Sequence, residues 1–162
     1  MPHISPAHLH VLLNHIPIVG LPVVLLFLLW GVARREDAVV RAALIGTVLL
    51  AGGTWLVDYT GDGAKDDIRH LAWANKDVIQ AHEDAGDQTE IAALATGVIA
   101  LATLVLARGG RGFRRPLVWV VILLLVASSG LAARAGWRGG KIRHDEFGLT
   151  PGAGTQVVTP PH

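Results

Sequence analysis

The chain has 162 residues, enough for one domain, and half of them are apolar. A formal net charge of +1 gives no field for nucleic acid, and no basic stripe argues for one. With no cysteine there is no disulfide, no iron–sulfur cluster, no covalently attached haem and no thiol nucleophile, whereas eight histidines are many for so apolar a chain.

The apolar residues fall in four blocks, each uncharged through its centre and close to the roughly 20 residues that cross a bilayer as a helix. The first span runs from about Leu9 to Val32, opened by Ser5 as cap and Pro6 in the first turn. It does not read as a cleaved signal peptide, because Met1 to Ala7 lacks a basic segment and no small-residue cleavage pattern follows Trp30. Pro17 and Pro22 leave the carbonyls of Leu13 and Ile18 without helix donors, which predicts a kink beside His15. The second span runs from about Val39 to Tyr59. In the loop that follows, Ile68, Leu71, Ala72, Asn75, Val78, Ile79 and His82 recur at three- and four-residue steps, which predicts an amphipathic helix begun after a Gly61-Asp62-Gly63 turn. His82 falls on its apolar stripe and His70 does not, so His70 reads as a solvated loop histidine. The third span lies between Glu90 and Arg108, the fourth between Pro116 and Arg134. Gly20, Gly46, Gly52, Gly53, Gly97 and Gly130 read as close helix packing or as clearance for a flat cofactor. The expected architecture is an all-α integral membrane four-helix bundle over residues 1–149, with a flexible tail at 150–162 rich in Pro, Gly and Thr.

Arg34, Arg35 and Arg41 join spans one and two, and Arg108, Arg111, Arg114 and Arg115 join spans three and four. Short arginine-rich connections stay in the cytoplasm. Both termini and the acidic loop are therefore expected on the periplasmic side of a bacterial inner membrane, against the opposing basic group Arg134, Arg138, Lys141 and Arg143. Trp30 and Trp119 would mark the inner interface, and Trp55, Trp73 and Trp137 the outer one.

An even number of crossings gathers His8, His10, His15, His70, His82 and His144 at the end away from the arginine-rich connections. Single histidines at helix ends often only cap or pair; so many at one end favour a cofactor site. The leading expectation is non-covalent haem b for electron transfer, with His15 and His82 as axial ligands and His10 and His144 as candidates for a second site. Arg138, Lys141 and Arg143 would hold propionates, and Asp58 and Glu83 would orient imidazoles. A quinol and a redox partner protein would exchange the electrons, and lipid would surround the spans. One alternative is zinc, copper or iron on His15, His82, His144 and Glu83. Another is a structural or anchoring subunit of a larger complex. Gly86 stands where H-E-x-x-H needs its second histidine, so no zincin is expected, and spans without a central charge argue against a transporter. No catalytic motif is needed.

The stretch H-V-L-L-N-H-I-P, from His10 to Pro17, resembles the opening pattern H-P-x-x-V-H-F-P of a bacterial four-helix membrane family catalogued only as a domain of unknown function. His10 and His15 fall at the family's two histidines and Pro17 at its proline, while Val11 replaces the first proline. Gly139, Gly140 and His144 resemble its Gly-Gly pair followed by histidine after the last helix, and His82 before span three also fits. The resemblance covers most of the chain, and N-H-I-P-I-V-G suggests a divergent branch. It implies the architecture and no activity; the haem reading comes from the ligands.

Overall fold

The computed structural model describes residues 5–68, 70–71, 74–109 and 111–142, the side chain of Asp67 excepted. Arg143, His144, Trp73 and the tail expected at 150–162 lie outside the described residues. Helices α1 (Pro6–Leu13) and α2 (His15–Arg34) form the first crossing, followed by α3 (Asp37–Ile68), α4 (Lys76–Leu106) and α5 (Arg115–Gly140). All four crossings are long and apolar enough to span a membrane. The described residues contain no strand.

Local chemistry sets the ends. The Ser5 hydroxyl accepts the His8 N–H at 3.2 Å, with Pro6 at the first helical position. Asn14 separates α1 from α2 by one residue, three positions before Pro17, where the Leu13 carbonyl has no donor. The expected disturbance beside His15 thus takes the form of a local break, and Asn14 itself keeps helical dihedrals. Arg35 closes α2 in the left-handed region at φ 57°. The Asn75 side chain caps α4, accepting the N–H groups of Asp77 at 3.0 Å and Val78 at 3.3 Å.

The helices α3 and α4 continue well past the expected edges of spans two and three. At 1.5 Å per residue, α3 is about 48 Å long against about 30 Å of hydrocarbon, so its last turns stand at the water boundary, where charge is tolerated. No separate amphipathic helix lies in the loop among the described residues. Gly61, Asp62 and Gly63 sit inside α3, and Val78, Ile79 and His82 belong to the first turns of α4. The two glycines serve close approach instead of a turn. A Cβ on Gly61 would stand 3.1 Å from His10 Cε1, and one on Gly63 would stand 3.0 Å from the Pro6 ring.

In the bundle, α2 packs on α3 and α5, α4 packs on the same two, and α1 packs mainly on α3. The first crossing and α4 are therefore diagonal. Leu21, Leu28, Leu44, Val121 and Leu125 fill the centre, with the α3–α4 seam made of small residues. Buried threonines return their hydroxyl protons to the carbonyl four residues back, as Thr47 does to Ala43 at 2.9 Å and Thr103 to Ile99 at 2.7 Å. Thr96 and Ser128 join α4 to α5 at 3.1 Å. Trp30 and Trp119 at one end and Trp55 and Trp137 at the other are each half or more exposed, at the levels where aromatic belts sit.

Candidate functional site

The Lys76 end of α4 and the Gly140 end of α5 lie with α1 and the last turns of α3, opposite the arginine-rich connections. There, His10 on α1 meets His82 on α4: the ring centroids are 6.1 Å apart and the planes cross at 75°. The two rings come from diagonal elements, while the other two helices hold them. His10 Nδ1–H donates to the Val57 carbonyl of α3 at 3.0 Å. His82 Nδ1–H donates to the Ala135 carbonyl of α5, also at 3.0 Å. Thr60 reinforces the first anchor, its hydroxyl donating to the Val57 carbonyl at 2.8 Å and lying 3.5 Å from His10 Nδ1.

Both anchors have the same chemical consequence. An Nδ1 that donates to a carbonyl fixes the tautomer, so the lone pair of the neutral ring sits on Nε2. Among the described residues neither Nε2 has a hydrogen-bond partner. Two nitrogen ligands across one transition metal, each bonded at about 2 Å, put their ring centres about 6 Å apart. The observed separation of 6.1 Å is of that size, and it is also the spacing of an ordinary edge-to-face ring pair.

Glycine supplies the space. A Cβ on Gly139 would stand 2.9 Å from His82 Cε1, and the corresponding approach at Gly61 is 3.1 Å from His10 Cε1. The glycines read from the sequence as packing positions divide differently. Gly20, Gly46, Gly53 and Gly97 meet apolar side chains of neighbouring helices, whereas Gly52 and Gly130 have open space around them.

The expected pairing of His15 with His82 is not what the fold brings together. His15 is exposed, and its Nδ1–H folds back to the Val11 carbonyl of the preceding turn at 3.1 Å. It lies five residues beyond His10 on the first crossing, and five steps at about 100° per residue place it on another side of the helix. His10, assigned to a second site with His144, is the residue that faces His82. His8 and His70 are exposed.

The charged groups also divide. Glu83 pairs with Lys65 of α3 through Oε1, and its Oε2 is buried without a partner. Asp58 faces α4 at Gly86, 3.8 Å from where a Cβ would stand, with Glu90, Asp87 and Asp62 as its charged neighbours. Backbone carbonyls of Val57 and Ala135 therefore orient the imidazoles, in place of the expected Asp58 and Glu83. Arg138 donates to the Ala81 carbonyl at 2.7 Å, one residue from His82, and Arg134 to Gln88 at 2.8 Å. The Lys141 ammonium lies 3.2 Å from the centre of the Trp137 ring. Among the described residues no three His, Asp or Glu side chains are grouped to hold a metal ion, His15, His82 and Glu83 included, and His144 of that expected set lies outside them.

Neither a protein-family model, nor a curated protein, nor a solved structure matches this chain.

Proposed function

We propose that the chain is a membrane-embedded b-type haem protein that carries electrons, its iron held between His10 and His82. The observation that carries this reading is the pair of imidazoles, each anchored through Nδ1 to a backbone carbonyl, with centres 6.1 Å apart inside the bundle. Absence of cysteine leaves non-covalent attachment as the available mode. Gly61 and Gly139 clear the flanks of the rings. Arg138, half-buried one residue from His82, and Lys141 at the end of α5 are the cations placed to meet propionates at the water boundary. When bound, the haem supplies a one-electron couple. The chain's own work is to hold both imidazoles through Nδ1, to exclude water with the apolar bundle, and to place the couple near one membrane surface.

The arginine density of the two short connections supports an orientation with the histidine end toward the periplasm of a bacterial inner membrane. A couple at that level suits a quinol donor in the surrounding lipid and a periplasmic redox partner.

The test is spectroscopic. Protein purified from a haem-replete host is expected to be red, with a Soret band and a sharp α-band on reduction, and His82→Ala is expected to lose most of that absorbance. A colourless preparation with stoichiometric zinc or copper would overturn haem in favour of a metal ion. A colourless, metal-free protein that travels with a larger complex would make it an anchoring subunit.

A further inference from the structure

The two halves of the bundle bury corresponding positions. Between the first crossing and α4 the correspondence is a shift of 72 residues: Leu21 with Ala93, Leu28 with Ala100, and Gly31 with Thr103, every one buried. Between α3 and α5 the shift is 78: Val40 with Val118, Leu44 with Ile122, and Val57 with Ala135. The same two shifts relate the site. His10 and His82 differ by 72, their carbonyl acceptors Val57 and Ala135 by 78, and the glycines against the rings, Gly61 and Gly139, by 78. In each half the acceptor lies four residues before the glycine, and the two anchoring distances are equal at 3.0 Å.

A shared burial pattern alone would follow from any antiparallel bundle with helical periodicity. A shared histidine, acceptor and glycine at those same shifts does not, because periodicity places no particular residue type. Both hairpins begin at the same membrane face, so the operation relating them is a rotation about an axis along the bundle, the arrangement of parallel repeats in membrane proteins. The letters diverge because packing is complementary. Leucines at 21 and 28 correspond to alanines at 93 and 100, while Ala43 and Thr47 correspond to Val121 and Leu125, so gains in one helix offset part of the loss in the other and hide the repeat.

We propose that the chain is two copies of one helical hairpin, and that its site takes a single planar metallo-macrocycle on their pseudo-two-fold axis, ligated once by each copy through His10 and His82. This rests on the haem reading and deepens it. The two ligands are equivalent in position and anchoring, one haem is bound per chain, and His10 is not free for the second site expected with His144.

The experiment titrates hemin into detergent-solubilised full-length protein and into His10→Ala, His82→Ala and His15→Ala, following stoichiometry and spin state. One hemin per wild-type chain in a six-coordinate low-spin form is expected. Each of the first two variants should turn high-spin and lose at least about 100-fold in affinity, since even groups behind a ligand are worth 10–100-fold. Their losses should agree within about three-fold, free imidazole should restore a low-spin spectrum in both, and His15→Ala should match wild type. Two hemins per chain would overturn the proposal and leave haem binding standing. So would a His10→Ala protein that stays low-spin while His82→Ala does not. Wild type that binds no hemin would overturn the haem reading and the proposal together. Stoichiometry is read on unmodified protein, so the test survives a variant that fails to fold.

Discussion

If the proposed haem is bound, Gly139→Val is expected to weaken its binding in a bundle that otherwise stays assembled. A Cβ at this position would lie 2.9 Å from His82 Cε1, closer than such atoms approach in folded proteins, and 3.2 Å from Nδ1, tighter than nearly all do. The ring would have to turn away from the Ala135 carbonyl, and the tautomer and direction of Nε2 would be lost with it. Removing such an anchor typically lowers metal affinity by about 10–100-fold. Gly61→Val should act on His10 in the same way, since the corresponding approach is 3.1 Å. The neighbouring Gly140 has nothing within 4 Å of its Cβ direction, so Gly140→Ala should bind hemin like wild type. Hemin titration beside circular dichroism separates the outcomes: loss of affinity with full helicity is expected, and unchanged affinity in Gly139→Val would contradict the anchoring role.

Gly97→Val should instead break the bundle. Its Cβ would fall 2.5 Å from the Ala51 Cβ on α3, with the Thr47 carbonyl and Val48 Cα at 4.0 Å behind it. A Cβ on a helix cannot swing aside as a flexible side-chain end can, so α3 and α4 must separate. Overpacking of this kind typically costs about 1–3 kcal/mol, and backbone against backbone lies at or beyond the upper end. The Thr96–Ser128 bond beside it would be strained as well. Reversible unfolding in mixed detergent, followed by tryptophan fluorescence, should show a loss of about 3 kcal/mol. Gly52→Ala is the control, because nothing lies within 4 Å of its Cβ direction and alanine has the better helix propensity by about 1 kcal/mol. It should be neutral or stabilising.

The four crossings were legible because hydrocarbon demands long uncharged runs, and those runs are plain between Leu9 and Val32 or Pro116 and Arg134. Helix ends were less so. Charges at Asp58 and Glu90 look like span limits, yet a helix that has left the hydrocarbon continues through them, and Lys65 of α3 pairs with Glu83 of α4 further out. Gly61-Asp62-Gly63 has the letters of a turn, and only the structure shows that a ring and a proline need the space. At the site, the even number of crossings correctly brought His10 and His82 to one end. His10 stands against His82 where His15 was expected, because depth and direction along the first crossing depend on the break at Asn14. The anchors at Val57 and Ala135 act through backbone carbonyls, which residue type does not reveal. The shift that joins His10 to His82 and Gly61 to Gly139 was a further signal, and divergent core packing covers it.

Electron paramagnetic resonance of the ferric protein tests most directly whether these two imidazoles share one iron. Planes crossed at 75° leave the iron π orbitals nearly degenerate and give a low-spin spectrum dominated by a single feature at large g. That spectrum, abolished alike by His10→Ala and His82→Ala, is the predicted result. High-spin iron, or the rhombic low-spin spectrum of parallel ligand planes, would contradict it.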